Sequence, residues 1–508
     1  MHYLVSGKEM KLLDQNTSSV FQVSELVLME QAAMAFVREL FLLQLKNHRT
    51  LKNALVLCGS GNNGADGLAI ARLLTQKGIA CCVCLCGEKA GHKTTASYKT
   101  QKKICQAYGI SMVDAFAEDC YDLVIDALFG IGLSRSIEGE MADVIREANE
   151  LVAWKVAVDI SSGIHADDGA ILGSAFRADD TITFSYAKLG EYLWPGSEAS
   201  GDVHIAPMGI TDASWLDRKP HVAALEKADA ARMIPVRSAH SNKGTYGKLL
   251  VIAGSVNMAG AAALCAKAAY RSGTGLVKVL TAEENRLAIQ TLVPEAILST
   301  YGTKLEEMQV IEDLKWADAV VLGPGIGTER NAKRLVQLVL KNCAVPLLLD
   351  ADALNLIAQE PECLLRPHTE IVVTPHLGEM ARLTGDAVSL IQARLVESAF
   401  TFAQTYNVVC VLKDFHTITA IPYAMGYLNL TGNHGMATAG CGDVLSGMIG
   451  AFLAQGLTAD IAAPLGVFLH GMAGDEAAEK NGKRALSALD LIDALPQVYK
   501  CLEERYEQ

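Results

Sequence analysis

A chain of 508 residues is longer than one ordinary hydrophobic core supports, so two to four domains are expected. The formal net charge of −13, with no Lys/Arg block of five or more, argues against nucleic acid or a membrane surface as partner. It leaves a small anionic ligand open, because backbone amides bind one without a basic patch.

The first stretch, "MHYLVSGKEMKLLDQN", lacks the basic-then-apolar pattern of a secretion signal, and no apolar run approaches twenty residues. A long helical pattern follows over 24–46. Apolar runs at 54–58, 81–86, 121–130 and 155–163 then alternate with helical stretches, which predicts βαβ units and a parallel sheet. The run "CCVCLC" at 81–86 reads as a buried strand rather than a metal site, since no paired CxxC or histidine accompanies it. The 13 cysteines show no disulfide spacing, which places the chain in a reducing cytoplasm. Residues 211–245 break the rhythm, and a boundary is expected near 222, giving domains 1–221 and 222–508. The strand–helix rhythm resumes at 246–255 and continues through "GLVKVLT", "ADAVVLGPGIG", "VPLLLDADALN", "EIVVTPHLGE" and "NVVCVLK"; after 441 the pattern is almost all helical. The expected class is α/β in two domains.

In the first half, "GSGNNGADG" at 59–67 follows a strand and opens a helix, so Gly59, Gly61 and Gly64 satisfy the GxGxxG phosphate loop in its proper context. The acid expected about twenty residues on is Glu88, late and in a turn. Asn62, Asn63 and Asp66 are unusual in a pyrophosphate cradle and suit a cation or a sugar hydroxyl better. Two further strands end in polar atoms, where open α/β sheets bind ligands. One end carries Asp126, then Gly130, Gly132, Ser134 and Arg135; the other carries Asp159, Ser161 and Ser162. Asn63, Asp126 and Ser162 together offer oxygen ligands of low total charge, suited to a large monovalent cation. Either acid alone could equally cap a turn.

In the second half, "GNHGMATAGCGDVLSGMIG" places four glycines within eleven residues ahead of Asp443 and an apolar helical run. Amides of such a loop and of the next helix's first turn form an anion hole, with Asp443 beside it as a base; a plain N-cap aspartate is the alternative. Cys441 reads as a small filler. "GPGIGT" at 323–328 allows close backbone approach. Asp350 and Asp352 end one strand, His376 and Glu379 begin a helix after another, and Lys413 ends a third, available to a nucleotide phosphate or merely solvated.

"GSGNNGADG", "DALFGIGLSR" and "VAVDISSG" resemble the YjeF N-terminal domain, the NAD(P)HX epimerase family. "NKGTYGKLLVIAGS", "GPGIG", "DADALN", "TPHLGEM" and "GMATAGCGDVLSG" resemble the ADP/ATP-dependent NAD(P)HX dehydratases, a ribokinase-like family. The fused arrangement is similar to the bacterial bifunctional nicotinamide nucleotide repair family. The resemblance implies a Rossmann-like three-layer domain followed by a ribokinase-like α/β domain, and a repair function. The first domain would interconvert the R and S epimers of NADHX and NADPHX. The second would dehydrate the S form with ADP, or ATP, and Mg²⁺. By matching motifs, Asn62, Asn63, Gly64, Ala65, Asp66, Gly130, Ile131, Gly132, Leu133, Ser134, Arg135, Ser136 and Asp159 would contact the hydrated dinucleotide, with Asp159 moving the proton. Asn63, Asp126 and Ser162 would hold K⁺. Ala261, Gly327, His376 and Asp443 would contact the substrate of the second domain, with Asp443 as base. Lys413, Asp414, Phe415, His416, Thr417 and Gly442 would contact the nucleotide. A homo-oligomer, tetramer or larger, is implied.

The sequence departs from the family pattern at Ser161 (usually proline), at Cys441 (often Ser or Thr) and at Phe415 (often glycine). The rival reading is a ribokinase-like small-molecule kinase fused to a non-catalytic Rossmann-like binding domain.

Overall fold

The computed structural model describes residues 1–86, 93–117, 121–366 and 369–503, so Glu88 lies outside the described residues. Two compact units appear, Tyr3–His221 and Val222–Gln508, the latter joined by Met1–His2.

The first unit is built on a 7-stranded sheet. Its strands are β1 (Asn53–Cys58), β2 (Ala80–Leu85), β3 (Ser111–Val113), β4 (Leu123–Ala127), β5 (Trp154–Val158), β6 (Asp180–Phe184) and β7 (Asp202–Ala206). They lie in the order β3-β2-β1-β4-β5-β6-β7, and every pairing is parallel. Strands buried on both faces read as continuous apolar runs, which is why "ALVLC" and "LVIDA" carry no alternation. Helix α1 (Glu25–Lys46) and helix α2 (Asn62–Gln76) pack together over this sheet. The run of cysteines is β2, and the described cysteines are free thiols. Strands β6 and β7 carry no expectation from sequence: "DTITF" and "DVHIA" are short and interrupted by polar residues, yet the tertiary structure buries all of β6.

The second unit restarts with β8 (Val222–Ala224), β9 (Lys248–Ile252), β10 (Leu276–Ala282), β11 (Ile297–Tyr301), β12 (Ala319–Leu322), β13 (Leu347–Leu349), β14 (Ile371–Val373), β15 (Val409–Leu412), β16 (Ile418–Ala420) and β17 (Gly426–Leu428). Their order is β11-β10-β9-β12-β13-β14-β15-β16-β17-β8. Pairing is parallel up to β15 and antiparallel across β15-β16-β17. Helix α3 (Ala259–Arg271) and the C-terminal helices α4 (Cys441–Ala454), α5 (Ala459–Asn481) and α6 (Ala488–Glu503) form the main apolar core with the sheet. Among the described residues, no helix is long and apolar enough to cross a membrane.

Both sheets reverse their strand order once near the middle, at β1/β4 and at β9/β12. Such switch points open a crevice at the carboxyl ends of the strands. Helix α4 packs against α3 so closely that a Cβ on Gly447 would sit 2.1 Å from the Cys265 carbonyl oxygen. Gly447→Ala must therefore part the two helices. It should cost about 1–3 kcal/mol of stability, read by urea unfolding.

Candidate active sites

In the first unit a cavity of about 870 Å³ opens at the β1/β4 switch point. Asn62, Asn63, Asp66, Gly130, Ile131, Gly132, Leu133, Ser134, Arg135 and Asp159 line it, as do Asp14 and Glu25, which sequence reasoning missed. Gly64 and Ala65 do not line it. A Cβ on Gly64 would meet the Gly59 carbonyl oxygen at 1.8 Å, and Ala65 is fully buried, so both shape the turn from within. Ser136 is exposed and also lies off the lining.

Asp126 ends β4 fully buried. Its Oδ1 accepts from Leu128 N at 3.1 Å and Ser162 Oγ at 2.7 Å, and its Oδ2 accepts from Ser162 N at 2.8 Å. Burial pushes this carboxyl up to about 6, against the hydrogen bonds from Ser162 and Leu128. Asn63, buried at the start of α2, has neither amide atom hydrogen-bonded among the described residues. An orphaned buried amide is costly unless something else satisfies it. Ser161 holds the place of the family's proline by donating to the Phe176 carbonyl at 2.6 Å, so the turn is kept by a side-chain bond.

Asp159 follows β5 with φ +69°, a left-handed conformation uncommon for a non-glycine residue. Its Oδ1 accepts from Phe184 N at 3.2 Å and from the ammonium of Lys188, which is fully buried. Burial, and then the charge of Asp159, push Asp14 up to about 6 and Asp66 well above the carboxylate range. The signal for Lys188 was faint: one lysine inside an otherwise apolar "FSYAKLG".

In the second unit, the Gly-rich stretch is a shaped turn into α4. Gly440 is its N-cap with φ +93°, which a side chain would strain. The first helical bond is Val444 N to Gly440 O at 3.1 Å. The amides of Cys441, Gly442 and Asp443 therefore have no partner within the helix and carry the positive end of its dipole. Asp443 is half-buried in this first turn, not the N-cap. Its carboxyl is pushed up to about 7, first by burial and then by Asp350, with Lys413 pulling the other way.

Lys413 directly follows β15 and is not a solvated charge. Its Nζ lies 3.0 Å from Asp350 Oδ1, and Ser446 Oγ donates to Asp350 Oδ2 at 2.7 Å. Burial works against the ammonium, but Asp350, Glu379 and Asp443 outweigh it and hold Lys413 above the ordinary lysine value. Asp350 is only 2% exposed, so it is committed to this pair rather than open to a water or hydroxyl. Ser446, one helical turn after Asp443, was missed; a buried serine in an apolar helix was its only signal. A Cβ on Gly442 would come 3.6 Å from Lys413 Nζ.

At the β9/β12 switch point a Cβ on Gly325 would sit 2.9 Å from Ala261 Cβ and one on Gly327 3.6 Å from Ser255 Oγ, while Gly254 N donates to Pro324 O at 2.9 Å and Gly327 N donates to Asp352 Oδ2 at 2.8 Å. His376 is exposed and caps the helix Leu377–Thr384, its Nδ1 accepting from Gly378 N at 2.9 Å. Phe415 is 60% exposed, while His416 Nδ1 meets the Asn429 carbonyl at 2.9 Å and the Thr417 carbonyl accepts from Asn429 N. Asp414 is raised by burial. Cys441 is buried with its thiol pushed up to about 11, and His470 bonds its carbonyl rather than its sulfur.

Removing the Lys413 charge strands the buried Asp350 carboxylate. Lys413→Met should lose about 3–5 kcal/mol in urea unfolding, and Lys413→Met/Asp350→Asn should recover much of it.

The NAD(P)H-hydrate dehydratase family profile matches residues 249–497, and the YjeF-related protein N-terminus profile matches residues 25–190. The bifunctional NAD(P)H-hydrate repair enzyme of Moorella thermoacetica is 37% identical over 526 aligned positions, covering 99% of this chain and 98% of that protein. Among solved structures, the ADP/ATP-dependent NAD(P)H-hydrate dehydratase of Bacillus subtilis, co-crystallised with ATP and Mg²⁺, is 31% identical with a TM-score of 0.50. It aligns with 56% of this chain and 100% of its own. A ribokinase-like superfamily protein of Enterococcus faecalis V583 is 26% identical, also with a TM-score of 0.50, covering 56% of this chain and 97% of its own. Matching in both halves and across almost its full length, the chain belongs to the family of bifunctional NAD(P)H-hydrate repair enzymes.

Proposed function

We propose that the chain repairs hydrated nicotinamide nucleotides. Residues 1–221 epimerise R- and S-NAD(P)HX, and residues 222–508 dehydrate the S form to NAD(P)H at the expense of ADP or ATP. The observation that carries the second activity is Asp443, half-buried with a carboxyl near neutrality beside unpartnered helix amides. A base of that kind is matched to its task at neutral pH.

Hydroxide is a poor leaving group, so the hydroxyl at C6 of the hydrated ring is best removed as phosphate. In this reading Asp443 takes the C6 hydroxyl proton while the oxygen attacks the terminal phosphoryl group, breaking its bridging P–O bond and releasing AMP from ADP or ADP from ATP. The amides of Cys441, Gly442 and Asp443 hold that group as charge develops on it. Phosphate then leaves C6 with the C–O bonding pair, a proton leaves C5, and the ring double bond returns. Lys413 lends positive charge to the nucleotide phosphates, while Asp414 to Thr417 border the nucleotide and Ala261, Gly327 and His376 border the hydrated ring. Among the described residues no group of three His, Cys, Asp or Glu side chains could hold a metal. Mg²⁺ would therefore arrive on the nucleotide, held mainly by phosphate and water.

In the first unit, the cavity walls formed by Asn62, Asn63, Asp66 and Gly130 to Arg135 take the dinucleotide, and Asp159 moves the proton in epimerisation. The orphaned Asn63 amide, the Asp126 carboxylate and the Ser162 hydroxyl fit K⁺, a large cation that tolerates neutral oxygen ligands. When bound, K⁺ would add fixed positive charge where the anionic substrate docks. A cytoplasmic homo-oligomer, tetramer or larger, completes the reading; light scattering on the purified protein measures its mass.

Recovery of reduced-nicotinamide absorbance from mixed NADHX epimers, with Mg²⁺, K⁺ and ADP or ATP, tests both activities. Wild type should recover all of it, and Asp159→Asn only the S fraction before slow spontaneous epimerisation. Asp443→Asn should be slower by about 10²–10⁴-fold. No recovery with either nucleotide overturns the reading. Because the base must be ionised, kcat/KM for dehydration should fall about tenfold per pH unit below about 7 and level off above it. Replacing K⁺ by Li⁺ should slow epimerisation and leave dehydration of pure S-NADHX unchanged.

A further inference from the structure

Four carboxylates, Asp14, Glu25, Asp66 and Asp159, line the cavity of the first unit. What holds each of them decides how it faces the cavity. Lys188, fully buried behind the wall, touches a single member of this set. Its ammonium donates to Asp159 Oδ1, to Thr183 Oγ1 at 2.7 Å and, at 3.5 Å, to the Asp159 carbonyl. The lysine is held in turn from its backbone. Lys188 N donates to Glu191 Oε2 at 2.5 Å, and Thr183 Oγ1 donates to the same oxygen at 3.3 Å. Asp159 Oδ1 also accepts from Phe184 N, while Oδ2 has no hydrogen bond among the described residues and is the oxygen left for a ligand. Burying a lysine is expensive, and packing alone is met more cheaply by methionine or leucine.

We propose that Lys188 is the positioning residue of the epimerisation site: bonded to Asp159 and to no other carboxylate of the cavity, it fixes that side chain by Oδ1, leaves Oδ2 for the substrate and keeps the site's negative charge on Asp159. The proposal rests on the reading of residues 1–221 as an epimerase. The neighbours behave accordingly: burial and the Asp159 charge push Asp66 and Asp14 toward their neutral forms. Burial likewise pushes Glu191 up to about 8.

The test follows R-NADHX to S-NADHX by chromatography, with K⁺ but without ADP or ATP, so that the dehydration site stands idle. If wild type does not exceed the spontaneous rate, the epimerase reading fails, and this proposal is not what failed. Given an active wild type, Lys188→Met should lower kcat at least about 100-fold with KM within about threefold. Lys188→Met/Asp159→Asn should be no slower than Asp159→Asn alone, because a lysine that acts through Asp159 has nothing left to act on. Methylamine should restore part of the activity of Lys188→Ala. Thr183→Val, which keeps the charge but frees the ammonium, should lower kcat about tenfold and serves where the lysine variants misfold. Multiplying losses in the double variant, a raised KM at unchanged kcat, or a Thr183→Val enzyme with wild-type kcat overturns the proposal.

Discussion

Parallel strands deliver the residue that follows each of them to one edge of the sheet, and both units put their chemistry there. In the first unit that edge receives the Gly59 loop after β1, Asp126 at the end of β4 and Asp159 after β5. In the second it receives Asp350 after β13, His376 after β14 and Lys413 after β15. Where strand order reverses, the flanking loops diverge and leave room for a ligand. The local turns, caps and glycines adjust a placement that the parallel pairing has already made.

Crowding acids at one edge creates an electrostatic problem, which the two units solve in related ways. Each pairs one lysine with one acid, the fully buried Lys188 with Asp159 and the half-buried Lys413 with Asp350. In the second unit Lys413 pairs with Asp350, the deeply buried acid, while burial and then the Asp350 charge raise Asp443, the proposed base, to about 7. In the first unit Lys188 bonds the acid proposed to react, and the neighbouring acids are raised instead. The two acids with proposed roles are thus held differently: Asp443 is raised by burial, and Asp159 is fixed by its bond to Lys188.

The loose look of "GNHGMATAGCGDVLSGMIG" is also resolved by packing. Gly440 gives the left-handed N-cap, and Gly447 gives the close approach of α4 to α3. The turn leaves the amides of Cys441, Gly442 and Asp443 without a partner within the helix, in the same turn as the Asp443 carboxylate. Cys441, which departs from the family pattern, is inert because its sulfur is buried and its histidine neighbour takes the carbonyl.

The sequence by itself determined the α/β class, most sheet strands, the long helix at 25–46 and the loops that carry Asn63, Asp126, Asp159 and Asp443. Those features are local: apolar runs, glycine turns and strand-end acids lie within a few residues of each other. It did not reveal β3, β6, β7, β8, β11 or the β16-β17 hairpin, short segments that become strands by pairing with distant neighbours. Nor did it pair Lys413 with Asp350, Ser446 with Asp350, or Lys188 with Asp159, partners 63, 96 and 29 residues apart. Only the tertiary structure decided those, because the charge state of a buried acid depends on what surrounds it in space and not on what flanks it in the chain.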